Sequence, residues 1–112
     1  MIVSDRKLSQ KLERTEARSN ADFVETRARL DPGHGAEWMQ IAGVYAMYDG
    51  AESPLTQTFG LGVFDEITDD VMAEIEEYFK KRDAPVLHEV SPMADLSVLE
   101  LLNRSGYEPV EL

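Results

Sequence analysis

The chain has 112 residues, 43% of them hydrophobic, and 22 Asp and Glu against 11 Lys and Arg give it a formal net charge of −11. That length predicts one domain, 1–112, with a single core, and the charge argues against nucleic acid or an anionic membrane surface as partners. There is no cysteine, no apolar run of about 20 residues, and no signal-peptide core in MIVSDRKLSQ, which together predict a cytoplasmic protein without disulfides or thiolate metal sites.

Ser4 or Asp5 is a candidate cap for a first helix. From Leu8 the residues Leu8, Leu12, Thr15, Ser19, Phe23, Thr26 and Leu30 recur every three or four positions and mark its expected apolar stripe. The segment Thr15 to Ala21 (TEARSNA) is poor in large apolar groups, so a break near Ser19–Asn20, with Asn20 as a second cap, competes with one continuous helix. Asp31-Pro32-Gly33 ends it, because Pro pushes the preceding residue out of the helical region.

Glu37 to Tyr48 (EWMQIAGVYAMY) predicts the longest strand, apolar on both faces and therefore central and covered on both sides. Asp49-Gly50 signals a turn, and Ala51 to Pro54 lengthens the connection into a looped hairpin. Thr56 to Phe64 (TQTFGLGVF) predicts a strand interrupted by Gly60 and Gly62. Asp69 to Arg82 predicts an amphipathic helix capped by Thr68, with Val71, Met72, Ile75, Tyr78 and Phe79 on one face. Its acidic start and basic end suit the helix dipole, and Glu76–Lys80, Glu77–Lys81 and Glu100–Arg104 are spaced as i,i+4 pairs. Pro85 to Val90 predicts a short strand, and Asp95 to Ser105 a last helix with Leu96, Leu99 and Leu102 on one stripe. Gly106 follows at the left-handed capping position, and Tyr107 to Leu112 predicts a final strand. Alternation of strands and helices argues for an α/β layer. Trp38, Ile41, Val44, Phe59, Val71, Ile75, Phe79, Val86, Leu99 and Leu102 form the expected core.

Residues 1–31 hold seven Lys and Arg against six Asp and Glu, and residues 32–112 hold four against sixteen. The acidic portion reads either as a solvated face or as a groove attracting a cationic amine. The two histidines, His34 in a glycine-flanked loop and His88 in a strand, lack metal-binding spacing. No GxSxG elbow is present to complete a triad, and His88 reads as a packed or hydrogen-bonded strand residue. Gln57 to Gly62 spells QxxGxG, which can bring backbone N–H groups to a pyrophosphate when a helix opens at the glycines. Here Val63 to Thr68 comes before the helix, which favours a glycine-bearing strand with a bulge.

The run SPLTQTFGLG, the acidic helix ending IEEYFKKRDAP, then HEVSPMAD and LLNRSGYEP, together resemble the GNAT superfamily of acyl-CoA-dependent N-acetyltransferases. The likeness is to the N-terminal, degenerate half of longer members with two such units. Leu101, Leu102, Gly106 and Tyr107, with Ser91-Pro92, are its closest matches. The resemblance implies a twisted mixed sheet with helices packed on its faces, and acetyl transfer from acetyl-CoA to a small-molecule amine. It places cofactor binding at Gln57, Gly60 and Gly62. The six-residue extension before the helix departs from the family pattern. The expectation is therefore the N-terminal portion of a longer N-acetyltransferase without a working cofactor site in this chain. The alternatives are a non-catalytic dimerisation or substrate-recognition domain, or acetyl-CoA held in an unusual loop. An uncovered terminal strand and a long first helix both predict a homodimer.

Overall fold

A computed structural model describes residues 6–91 and 94–109, in the order α1 (Arg6–Leu30), a 3-10 turn (Pro32–His34), β1 (Glu37–Ile41), β2 (Val44–Tyr48), β3 (Gln57–Phe59), α2 (Asp69–Lys80) and α3 (Leu96–Arg104). This is a mixed α and β fold with a three-stranded antiparallel sheet ordered β1-β2-β3. The candidate caps Ser4 and Asp5, Pro92, and residues 110–112 of the expected last strand lie outside the described residues. Tyr107 to Pro109 is not a strand.

The expected long strand Glu37–Tyr48 is instead a tight hairpin. Ala42 and Gly43 take positive φ of 50° and 77°, and Ile41 pairs with Val44 across them. Two left-handed residues in a two-residue loop define a type I′ turn, whose twist matches that of the flanking strands. An apolar run conceals the turn, because only Gly43 marks it. β2 is the central strand, and its two faces are both covered as its composition predicts. Val44 and Ala46 pack in a core with Ile75, Phe79, Val98 and Leu102 from α2 and α3, while Tyr45 and Met47 pack with Phe59 and with Ala17, Ala21 and Val24 from α1. The connection from β2 to β3 is a looped hairpin, as expected, closed by Ser53 N–H donating to Gly50 O and Thr56 N–H to Ser53 O.

The expected core residues thus divide between two sides of the sheet. Trp38 and Phe59 belong to the α1 side, and Ile41, Val44, Ile75, Phe79 and Leu102 to the other. Leu99 is exposed, because Val98, Leu101 and Leu102 form the buried stripe of α3. The strand expected at Pro85–Val90 contracts to one parallel bridge, Thr58 with His88. There Thr58 N–H donates to Leu87 O at 3.0 Å and Glu89 N–H donates to Thr58 O at 3.2 Å. α2 begins where predicted, with Thr68 Oγ1 accepting from Val71 N–H at 3.2 Å.

α1 runs without a break through Ser19 and Asn20. Alanines at 17 and 21 are good helix formers and keep the helix close to the sheet, and the hydroxyls of Thr15 and Thr26 donate to the carbonyls of Lys11 and Asp22. The buried stripe is Ser9, Ala17, Ala21 and Val24, with Ala28 half-buried. Leu8, Leu12, Phe23 and Leu30, expected to face the core, are exposed instead.

Candidate functional site

The glycine motif lies at the end of β3 and turns the chain toward α2. Gln57 pairs with Met47 in the sheet and is half-buried. Gly60 and Gly62 follow with φ of 79° and 71°, and Val63 N–H donates to Gly60 O at 3.2 Å. Neither glycine opens onto free space. A Cβ on Gly60 would meet the Phe64 ring at 2.7 Å, and one on Gly62 would meet Val98 Cγ2 at 2.0 Å. Leu61 between them is fully buried in the α2 and α3 side of the core. The turn is also tied down from the other side, where Gln10 Nε2 on α1 donates to Val63 O at 2.9 Å. The glycines therefore serve close packing of this chain's own side chains.

α2 presents little to an anion at its N-terminus. Its first turn carries Asp69 and Asp70, and Asp69 pairs with Arg104 at 3.1 Å. Two carboxylates there already occupy the positive end of the dipole. Arg104 therefore reaches across to α2 instead of back along its own helix to Glu100, and Glu76 is turned to Tyr107.

Beside the glycine turn is a recess of about 330 Å³ lined by Gln10, Arg14, Gln40, Gly43, Tyr45, Phe64 and Asp65. The Arg14 guanidinium stacks over the Phe64 ring at 4.9 Å. One cation and one carboxylate face this space, so it is not an acidic groove of the kind that concentrates a cationic amine.

A half-buried polar chain, with Thr58 fully buried at one end, occupies the far side of the sheet. His88 Nδ1 lies 2.8 Å from Thr58 Oγ1, and its ring meets the Tyr107 ring edge-on at 4.7 Å. Tyr107 Oη donates to Glu76 at 2.8 Å. Burial lowers the His88 pKa to about 4, against a smaller opposing effect of the Glu76 charge. Burial and the Glu76 contact raise that of Tyr107. His88 is thus neutral near pH 7, in the hydrogen-bonded strand position its sequence context predicts. Its Nε2 has no hydrogen-bond partner among the described residues. Next to it, Glu89 has a pKa raised by burial and by Glu16 and Glu13.

The sequence gives less sign of the cluster around Asp49. This buried carboxylate lies 3.5 Å from Arg27 Nε and 3.4 Å from His34 Nε2, and it accepts from Ser53 Oγ at 3.0 Å. His34 Nε2 is also 2.7 Å from the Asp49 carbonyl. Serine, histidine and aspartate meet here without forming a triad, since Ser53 donates to the carboxylate and not to the imidazole. The cluster ties the end of α1, the 3-10 turn and the β2–β3 loop together. Asp49-Gly50 announces the turn in sequence, but its partners are 15 and 22 positions upstream, so spacing alone could not find them.

Among the described residues no group of three or more His, Asp or Glu is placed to hold a metal ion, and no helix is long and apolar enough to cross a membrane. No family model, no curated protein and no solved structure matches the chain.

Proposed function

We propose that this chain is a GNAT-like unit of an acetyl-CoA-dependent amine N-acetyltransferase, one that carries no cofactor site of its own. The observation that carries this is the arrangement around Thr58. Antiparallel strands lead into β3, the chain turns at the QxxGxG glycines, crosses over through α2 and returns in parallel beside β3 at His88. The family resemblance implies a similar framework, with the cofactor between two neighbouring strands and its pyrophosphate on a glycine loop. In this chain the loop is filled by Phe64, Leu61 and Val98, and the following helix opens with two aspartates. Acetyl transfer then requires a second unit with an open glycine loop.

Calorimetry with acetyl-CoA is the direct test of the missing site. The expected result is no saturable heat into the hundreds of micromolar. A stoichiometric micromolar response, competed by coenzyme A, would return Gln57, Gly60 and Gly62 to a binding role. The intact mass of the natural protein tests the rest. A mass exceeding this chain by a second unit with acetyltransferase activity on amines supports the assignment. A mass equal to this chain, with no such activity, overturns it.

The second reading is a non-catalytic dimerisation or substrate-recognition domain, and the exposed apolar residues of α1 favour the first of these roles.

A further inference from the structure

α1 is 25 residues long and presents two stripes. At 3.6 residues per turn, Ala17, Ala21, Val24 and Ala28 share the face toward the sheet, and Leu8, Leu12, Phe23 and Leu30 fall within an arc of about 60° on the opposite side. These four are 45%, 59%, 51% and 77% exposed. Scattered surface leucines are ordinary, but a one-sided stripe along a whole helix is an interaction surface. Between its large residues the stripe carries Thr15, Ser19 and Thr26.

The charges flanking the stripe suit a second copy of the same helix. One flank carries Lys7, Lys11, Arg14 and Arg18 in its N-terminal half, and Asp22, Glu25 and Arg29 in its C-terminal half. The other flank has Glu13 and Glu16 before Arg27. A twofold axis perpendicular to two antiparallel helices sets each flank against itself, N-terminal half on C-terminal half. Lys11, Arg14 and Arg18 of one copy then face Asp22 and Glu25 of the next and Glu13 faces Arg27, while Lys7 falls opposite Arg29. Within the chain Glu25 also accepts from Trp38 Nε1 and Arg27 pairs with Asp49. Antiparallel pairing also opposes the helix dipoles favourably. With the axis at Ser19 it sets Phe23 beside Thr15 and Leu12 beside Thr26, large against small, and Leu8 beside Leu30.

We infer that α1 is a homodimerisation surface, pairing antiparallel with α1 of a second copy about a twofold axis at Ser19. This stands whether or not the acetyltransferase assignment does. The helix is about 37 Å long and about 11 Å wide, so it covers about 400 Å² per partner, half of a standard interface. An interface of that size fits a weak, reversible pair. The acidic residues 32–112 add repulsion that salt screens within about 8 Å.

Light scattering after size exclusion, from 5 to about 500 μM at physiological salt, reads the association. The expected result is a shift from monomer to dimer mass across that range. Leu12→Glu should weaken it at least tenfold while leaving the helical circular dichroism unchanged. A wild-type monomer throughout, or a dimer unaffected by Leu12→Glu, overturns the surface. Because the chain has no cysteine, single cysteines report orientation cleanly. Ser19→Cys should cross-link to a disulfide dimer on oxidation and Thr26→Cys should not. Cross-linking through Thr26→Cys would mean a parallel pair and overturn the antiparallel arrangement.

Discussion

A Cβ built on Gly62 would sit 2.0 Å from Cγ2 of Val98, so the glycine turn and α3 are fitted to each other at backbone distance. Gly62 also needs its positive φ of 71°. Gly62→Ala therefore meets two costs, left-handed strain of about 1 kcal/mol and overpacking of about 1–3 kcal/mol. Urea unfolding should show a loss of about 2–4 kcal/mol. Val98→Ala alone should also destabilise, by removing buried methyl groups. Combined with Gly62→Ala it should recover part of the clash, so the two changes should be less than additive. Strict additivity would mean that α3 does not pack on this turn.

The β1–β2 turn makes the opposite kind of prediction. Ala42 holds φ at 50°, where a Cβ is unfavourable and where asparagine is the favoured residue of a type I′ turn. Ala42→Asn should stabilise the chain by about 0.5–1 kcal/mol. Gly43→Ala should destabilise it, because its Cβ would meet Phe64 Cβ at 2.9 Å and Asp65 Oδ2 at 3.0 Å. A stability unchanged by both substitutions would restore the single long strand.

His88 gives the fold a pH dependence. Its pKa falls from an ordinary 6.5 to about 4 in the folded chain, chiefly through burial. Between those values the unfolded chain binds a proton that the folded chain does not. Stability from this group is therefore full above pH 6.5 and declines as pH falls toward 4, by on the order of 3 kcal/mol at most. Glu89 acts in the other direction, since a raised carboxyl pKa favours the folded state where its proton is retained. The quantity to measure is the difference between wild type and His88→Gln, by urea unfolding from pH 7.5 to 4.5. It should change with pH in the stated sense, and a flat difference would place His88 in solvent.

Some of this architecture is legible in the sequence. Thr68 before two aspartates, and the periodic Met72, Ile75 and Phe79, mark α2 and its buried face. The covered central strand is readable from β2, where every residue of Val44 to Met47 is apolar and buried. Strand lengths are less readable. The Ala42-Gly43 turn has the composition of its strands, and Pro85 to Val90 looks like a strand but makes a single bridge. At the glycine motif, sequence shows that a close approach occurs but not what approaches. The partner that fills it, Val98, is 36 positions away and carries no sign of its role.

The face of α1 is the least legible feature, and it yields the last prediction. Hydropathy ranks leucine and phenylalanine above alanine, so periodicity selects Leu8, Leu12, Phe23 and Leu30 for the core. The helix instead lies close to the sheet, and close approach admits Ala17 and Ala21 at zero exposure while the large residues stay outside. The two faces should respond to substitution in reverse of their hydropathy. Ala21→Leu adds three carbons where Tyr45, Met47 and Phe59 already fill the space, and should cost about 1–3 kcal/mol. Leu12→Ser removes an exposed side chain and should change monomer stability by less than about 0.5 kcal/mol. Chemical unfolding below 1 μM keeps association out of the comparison. Should Leu12→Ser prove the more damaging of the two, α1 would have to be turned by roughly half a revolution on the sheet.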